Sequence, residues 1–173
     1  KKLPKGGRVE SIEPSQFDPA KAYIAVDRHL LGDTTPYLYK TDDYGKSWEL
    51  ISTDSNGIPS DYTTRVLRED PVRQGLLYAG TEFGMFVSFD DGGTWKKFQQ
   101  NLPVTPITDI TLFRGDLVLS TMGRGFWILD KVTTLQDEKI TQLGDDPVLF
   151  TPDNTYRYQT PWGGGDFPGY PST

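Results

Sequence analysis

The chain has 173 residues, a formal net charge of −6 and no cysteine. The lack of cysteine excludes disulfides and thiolate metal sites, and the acidic balance argues against a phosphate backbone as ligand, so we expect no nucleic-acid partner. No apolar run approaches the ~18 residues of a membrane-spanning helix, and the composition favours an extracellular, periplasmic or other cell-envelope protein. Because the first residue is Lys1, we expect that a preceding segment was removed or left out.

Short apolar runs bounded by Gly, Pro, Asn and Asp predict strands rather than helices. The first unit contains four such runs: Val9–Ile12, Ala22–Val26, Pro36–Lys40 and Trp48–Ile51. A second unit repeats this order with Thr64–Arg68, Leu76–Thr81, Met85–Ser88 and Trp95–Phe98. Both units also share an Asp-Pro turn between their first two strands. Four short strands per unit are typical of a propeller blade, so we predict an all-β fold.

A third unit keeps only part of this pattern. Its predicted strands are Thr108–Leu112, Asp116–Thr121 and Gly125–Asp130. A helix is a candidate only at Val132–Ile140, an apolar run follows at Pro147–Phe150, and the chain after Tyr158 is rich in Gly and Pro. We expect this tail to be either an ordered arm or a disordered end. The predicted domains are blades at 1–57, 58–103 and 104–158, with the tail at 159–173.

One eight-residue pattern, S/T-x-D-x-G-x-S/T-W, occurs at Thr41–Trp48 (the first octet) and again at Ser88–Trp95 (the second octet). The two aspartates are ~47 residues apart, within the ~40–50-residue period of propeller blades. An Asp that accepts bonds from following N–H groups, a Gly with positive φ and a nearby hydroxyl together favour a tight turn. The Trp then begins the fourth strand and buries aromatic surface between neighbouring sheets. The residues assigned to this structural role are Thr41, Asp43, Gly45, Ser47, Trp48, Ser88, Asp90, Gly92, Thr94 and Trp95.

Three blades do not close a ring, because propellers contain about 4–8 blades. Terminal blades without neighbours would expose apolar faces. We therefore expect the remaining blades to come from another chain, from the rest of a cleaved precursor or from symmetry-related copies.

The octets resemble the Asp-box of sialidase-like and sortilin-like propellers. From about Gly7 to Tyr158 the chain is similar to the closing blades of large bacterial sortilin-like propellers, which are often labelled glycosyl hydrolases with BNR repeats. The segments that carry the resemblance are Gly7–Glu10, Thr41–Trp48, Gly75–Gly84, Ser88–Gly92 and Gly123–Asp130. It implies a non-catalytic scaffold or a protein- or peptide-binding module, since the hydrolase label rests mostly on boxes that brace hairpins. The alternative is part of a sialidase- or glucanase-like glycoside hydrolase, whose glycan site would lie on the channel face opposite the boxes.

Candidate site residues lie in the loops predicted on that channel face, where propellers gather ligand sites. The candidates for ligand binding are Arg28, His29, Tyr62, Glu82 and Arg124. No catalytic residue is assigned. Glycoside hydrolysis would need two carboxylates ~5–5.5 Å or ~6.5–9.5 Å apart, for which Asp27, Asp61 and Glu82 are candidates on different blades. A sialidase-like site would also need an arginine cluster drawn from Arg28, Arg65 and Arg124.

Structural roles compete with each of these assignments. His29 is expected to bond a neighbouring carboxylate, and Glu82 with Arg124 is expected to form an ion pair between blades. No cofactor or metal is expected; calcium is the alternative, since carboxylates suit a hard cation. The residues that invite it are Asp42, Asp43, Asp90 and Asp91. The octet lacks the terminal Glu of a calcium-binding loop.

Overall fold

Three antiparallel sheets follow one another along the chain in the computed structural model, which describes residues 3–142 and 148–150. Sheet 1 has the order β1-β2-β3-β4, sheet 2 the order β5-β6-β7-β8 and sheet 3 the order β11-β10-β9. The strands of sheet 1 are β1 (Arg8–Pro14), β2 (Ala22–Asp27), β3 (Tyr37–Thr41) and β4 (Glu49–Leu50). Those of sheet 2 are β5 (Thr64–Glu69), β6 (Leu77–Thr81), β7 (Gly84–Ser88) and β8 (Lys96–Lys97). Sheet 3 consists of β9 (Ile107–Phe113), β10 (Asp116–Thr121) and β11 (Phe126–Leu129).

Within the described residues, helical structure is limited to short segments between the strands and after the last of them. Single 3-10 turns cover His29–Leu31 and Asp54–Asn56, and a third covers Glu138–Gln142. The α-helix α1 (Thr133–Gln136) precedes that third turn, so the region predicted as a helix is one short helix followed by a 3-10 turn. None of the helices in the described part of the chain is long and apolar enough to span a membrane.

Sheet 2 is the most buried sheet because the other two pack on its faces. Every residue of β6 and β7 is buried, and these strands are correspondingly apolar or small on both faces. By contrast, β9 buries only Ile107 and Ile110 and exposes four of its seven residues, as expected for a strand with one solvated face.

Two apolar layers hold the sheets together. Between sheets 1 and 2 lie, among others, Tyr23, Leu38, Leu67, Phe86 and Trp95. Between sheets 2 and 3 lie Tyr78, Met85, Ile110, Leu117 and Leu119, with Leu135 of α1. A smaller cluster of Ile24, Val26 and Tyr39 lies on the other face of sheet 1, covered by Tyr37, Trp48 and Leu50.

The prediction of an all-β fold with three blade-like sheets is confirmed. Sheet 3 has three strands within the described residues, as the third unit indicated. The chain divides into two units, Lys1–Leu143 and Gly144–Thr173; of the second, only residues 148–150 are described, and Val148 and Leu149 are exposed there. The predicted tail at 159–173 lies outside the described residues, and the predicted domain boundaries stay predictions.

Candidate functional site

The first octet is a turn closed on the carboxylate of Asp43. Its Oδ1 accepts hydrogen bonds from the Thr41 hydroxyl and from Ser47 N, both at 2.8 Å, and its Oδ2 accepts the Ser47 hydroxyl at 2.6 Å. Gly45 N donates to Thr41 Oγ1 at 2.9 Å. The hydrogen bonds from Ser47, followed by that from Thr41, lower the pKa of Asp43 to about 2, because they favour the ionised carboxylate.

The second octet repeats the same contacts around Asp90. Ser88 Oγ and Thr94 N donate to its Oδ1 at 2.8 Å, and Thr94 Oγ1 donates to its Oδ2 at 2.8 Å. Gly92 N donates to Ser88 Oγ at 2.9 Å. Partial burial opposes ionisation, but the bonds from Thr94 and Ser88 outweigh it and lower the pKa of Asp90.

These contacts use the carboxylate oxygens within the turns themselves. Among the described residues, no group of three or more His, Cys, Asp or Glu is placed to hold a metal ion. The calcium hypothesis therefore stays a prediction and gains no support from the octets.

The tryptophan that ends each octet packs on the face of its own sheet that is turned away from the following sheet. Trp95 is 4% exposed in the layer between sheets 1 and 2, and its Nε1 donates to Ile51 O at 2.7 Å. Trp48 packs on the other face of sheet 1, against Ile24 and Tyr39, and is half-buried. The difference follows from position, because sheet 1 precedes Trp95 whereas no sheet among the described residues precedes Trp48.

The residue after the octet aspartate links sheets 1 and 2. Asp91 accepts hydrogen bonds from Lys21 Nζ at 2.7 Å, Tyr23 OH at 2.6 Å and Lys40 Nζ at 3.2 Å. Burial opposes ionisation of Asp91, but these three donors outweigh it and hold its pKa below the usual value. Burial and the Asp91 carboxylate raise the pKa of Tyr23, so the phenol stays a neutral donor. We call these four residues the Asp91 cluster.

Sequence reasoning missed the Asp91 cluster as a unit. Asp91 lies 51 to 70 positions along the chain from its three donors, and the octet pattern leaves the position of Asp91 free. The signal that was present is the contrast between Asp91 and its counterpart Tyr44, which is 72% exposed.

The loop residues proposed from the sequence fall into separate local contacts. His29 Nδ1 lies 2.5 Å from Asp27 Oδ2, and His29 N donates to Asp27 Oδ1 at 2.8 Å. Arg28 pairs with Asp33 at 3.0 Å and lies 5.8 Å from the ring centroid of Tyr37. The histidine thus bonds a neighbouring carboxylate, as its structural alternative expected.

Glu82 forms an ion pair, but with a different partner from the one expected. Arg65 Nε donates to Glu82 Oε1 at 2.6 Å within sheet 2, so the predicted pair between Glu82 and Arg124 is wrong. The strand register explains the difference. Thr64 of β5 pairs with Thr81, the last residue of β6, so Arg65 and Glu82, the residues that follow these two, lie close together. Arg124 is exposed, and its carbonyl accepts a bond from Trp127 Nε1 at 3.1 Å.

The remaining candidates do not join these pairs. Tyr62 packs its ring on Phe83, with centroids 4.7 Å apart, and on Phe86 at 5.9 Å. Asp61 is exposed. Among the contacts of the described residues, none brings Asp27, Asp61 and Glu82 together.

The comparisons with known proteins identify the fold. No protein-family model matches the sequence, and no curated protein matches it. The GH74 enzyme of Niastella koreensis is similar in structure, with 14% identity and a TM-score of 0.55 over 71% of this chain and 21% of that chain. The GH74 xyloglucanase of Xanthomonas campestris has 15% identity and a TM-score of 0.53 over 73% of this chain and 21% of that one.

A third similar structure is that of YCF48 bound to D1 peptide, with 18% identity and a TM-score of 0.50 over 75% of this chain and 39% of that one. The chain thus spans between a fifth and two fifths of the proteins it resembles. At these identities the likeness concerns the fold alone, which is that of part of a β-propeller, and each of the three sheets is a blade.

Proposed function

We propose that this chain is a non-catalytic propeller segment, a scaffold whose two end blades dock further blades of an exported or cell-envelope protein. One observation carries the proposal, namely the apolar residues exposed on the outer faces of sheets 1 and 3. The Asp-box and the sortilin-like character suggested by the sequence belong to the same proposal and are supported by the matching hydrogen bonds of the two octets.

The outer face of sheet 3 is the clearer of the two. Its exposed residues include Phe113 (59%), Phe126 (79%) and Ile128 (62%). Side chains alternate between the two faces of a strand. Trp127 and Leu119 face sheet 2, so Phe126 and Ile128, with their partners Ser120 and Val118, lie on the opposite, outer face. Large side chains at this exposure are typical of a surface that another element covers.

The outer face of sheet 1 exposes residues of its first strand. Val9 and Ile12 are 46% and 65% exposed, and they pair with the buried residues Val26 and Ile24 on the same face. Trp48 lies on this face as well. A preceding blade would enclose it as sheet 1 encloses Trp95.

The contacts of the candidate carboxylates favour a structural role over catalysis. Asp27 bonds His29 in the adjoining 3-10 turn, and Glu82 bonds Arg65 on the neighbouring strand β5. A glycosidase needs two carboxylates on either side of one bond, and these pairs would have to be broken to provide them.

Glycoside hydrolysis remains the second candidate, because two similar propellers are GH74 enzymes, one of them a xyloglucanase. The structure of YCF48 bound to D1 peptide supports instead a protein- or peptide-binding module. We favour binding, since a partial propeller with exposed end faces needs partner surfaces whatever else it does.

The state of association of the purified chain tests the proposal. We expect sedimentation analysis to show species larger than the 19.5 kDa monomer, because the exposed end faces pair with each other when the partner blades are missing. Phe126→Glu should shift the distribution towards monomer. Leu30→Glu is the matched control, since Leu30 is 80% exposed but lies in a loop turn away from both end faces.

Two results would contradict this function. One is a wild-type chain that sediments only as a monomer at every concentration. The other is an equal effect of Phe126→Glu and Leu30→Glu, which would assign the association to general surface hydrophobicity.

A further inference from the structure

Sheet 3 ends at an open edge on its outer side. In sheets 1 and 2 the chain leaves the third strand, passes through an octet and returns as β4 or β8. After β11 it turns away instead: Lys131 N donates to Asp116 Oδ1 at 3.0 Å and Val132 N to Gly115 O at 2.7 Å, and α1 follows. Among the described residues no strand pairs with the outer edge of β11.

A cleft opens beside this edge, between sheets 2 and 3. Its cavity volume is about 50 Å³; it is lined by Met85 and Phe98 of sheet 2, with Gln100 and Asn101 after them, and by Leu117, Leu119, Trp127 and Leu129 of sheet 3. Its lining is therefore mostly apolar, and Leu129 at its mouth is 37% exposed.

The position of the cleft is equivalent to that of a filled site one sheet earlier. In sheet 1, Ile51 N donates to Leu38 O at 2.8 Å just beyond the β3–β4 pairing, and in sheet 2, Phe98 N donates to Met85 O at 2.9 Å just beyond the β7–β8 pairing. Leu38 and Ile51 thus correspond to Met85 and Phe98. The layer that contains Leu38 and Ile51 holds the side chain of Trp95, which the second octet supplies from the following blade.

Sheet 3 has no such octet after β11, so its own fourth strand does not supply the corresponding aromatic side chain within the described residues. The open edge of β11 and the cleft lie side by side. In sheet 2 the fourth strand β8 lies in the same way beside the pocket that holds the Trp95 indole. An unpaired strand edge beside an apolar pocket is the arrangement in which proteins capture extended peptides.

We propose that the edge of β11 and this cleft bind an extended segment of another polypeptide, which adds as the fourth strand of sheet 3 and inserts one large aromatic side chain, an indole, into the cleft. The partner chemistry is that of an octet followed by a short strand. The inference rests on the proposed function, because it names the kind of segment that completes one end blade.

A synthetic peptide with the sequence of residues 88–98 of this chain is the probe, since it contains the second octet, its Trp and the following strand. Isothermal titration calorimetry against the full chain should show binding, and the same peptide with Trp replaced by Ala should bind at least about tenfold more weakly because it loses its buried anchor.

Two variants of the chain locate the site. Leu129→Glu places a charge at the mouth of the cleft and should weaken binding at least about tenfold. Leu30→Glu is the matched control, because it also places a charge at an exposed leucine, 80% exposed, but in the 3-10 turn of the first blade, and it should leave peptide affinity within about twofold.

Several results would overturn the proposal. These are no binding of the peptide, binding indifferent to its Trp, or equal effects of the two variants. Binding that appears only after Trp162→Ala would assign the cleft to this chain's own C-terminal segment and would equally refute a partner in trans. Failure here is distinct from failure of the proposed function, which sedimentation of Phe126→Glu tests on the other face of the sheet.

Discussion

Replacement of Trp95 by Ala tests whether the octet tryptophan binds one blade to the one before it. The side chain is 4% exposed, and truncation of a buried Trp costs about 3–5 kcal/mol in unfolding free energy. The loss combines the transfer free energy of the buried indole with the cavity left behind, and Ile51 O is not left unsatisfied, because Asn56 Nδ2 donates to it at 2.8 Å. Trp48→Ala is the matched control in the same position of the first octet. Since Trp48 is only half-buried, we expect it to cost about half as much, roughly 1.5–2.5 kcal/mol.

Urea denaturation followed by far-ultraviolet circular dichroism measures both values without relying on tryptophan emission. At the size of this domain, the Trp95→Ala loss corresponds to a Tm lower by roughly 6–20 °C. The protein concentration must be held constant, because association shifts apparent stability. Equal losses in the two variants, or a larger loss for Trp48→Ala, would refute the reasoning, since the outer face of sheet 1 would then be as enclosed as the layer between the sheets.

Two further predictions concern the turns. Gly92→Ala should cost about 1–3 kcal/mol more than Gly115→Ala: both glycines have positive φ, at 84° and 87°, but an added Cβ at Gly92 would lie 2.7 Å from Ile51 Cδ1 whereas none lies near Gly115. Urea midpoints compare the two, and equal losses would contradict a close contact at Gly92. Acid should also destabilise the fold. The folded-state pKa of Asp43 is about 2 and that of Asp90 is lowered, so their stabilisation is complete above the unfolded-state pKa of about 3.9 and is lost as pH falls towards about 2. Thermal melts between pH 2 and 6 should show a smaller acid loss in Asp43→Asn than in the wild type, and an unchanged slope would exclude Asp43 as a source.

Local interactions explain which parts of the structure could be predicted from the sequence. Strands with alternating or continuous apolar residues and the turn residues between them are encoded within a few positions, so sheets 1 and 2 were predicted with their four strands each. The bonds around Asp43 and Asp90 also join residues at most four positions apart. The all-β fold followed from these local signals.

Contacts between distant positions could not be predicted in the same way. The partner of Glu82 depends on the register between β5 and β6. That register brings Arg65 next to Glu82, whereas Arg124, the partner expected from the sequence, belongs to the next blade. The bonds of Asp91 to Lys21 and Lys40 depend on how two sheets pack. The cleft beside β11 required the three-dimensional equivalence of Met85 and Leu38, which no short motif contains.

The position after the octet aspartate has a consequence for how such repeats can be rearranged. Tyr44 and Asp91 share the same left-handed backbone, with φ of 60° and 59°, yet Tyr44 projects outwards while Asp91 neutralises Lys21 and Lys40 of the blade before it. Blade 2 is therefore charge-matched to blade 1 in particular. A circularly permuted or module-shuffled chain that places blade 2 after any other blade would separate both lysines from Asp91 and leave them only the longer pairs with Asp42 at 3.3 Å and Glu49 at 3.7 Å. The side chain of Asp91 thus favours one serial order of these two blades.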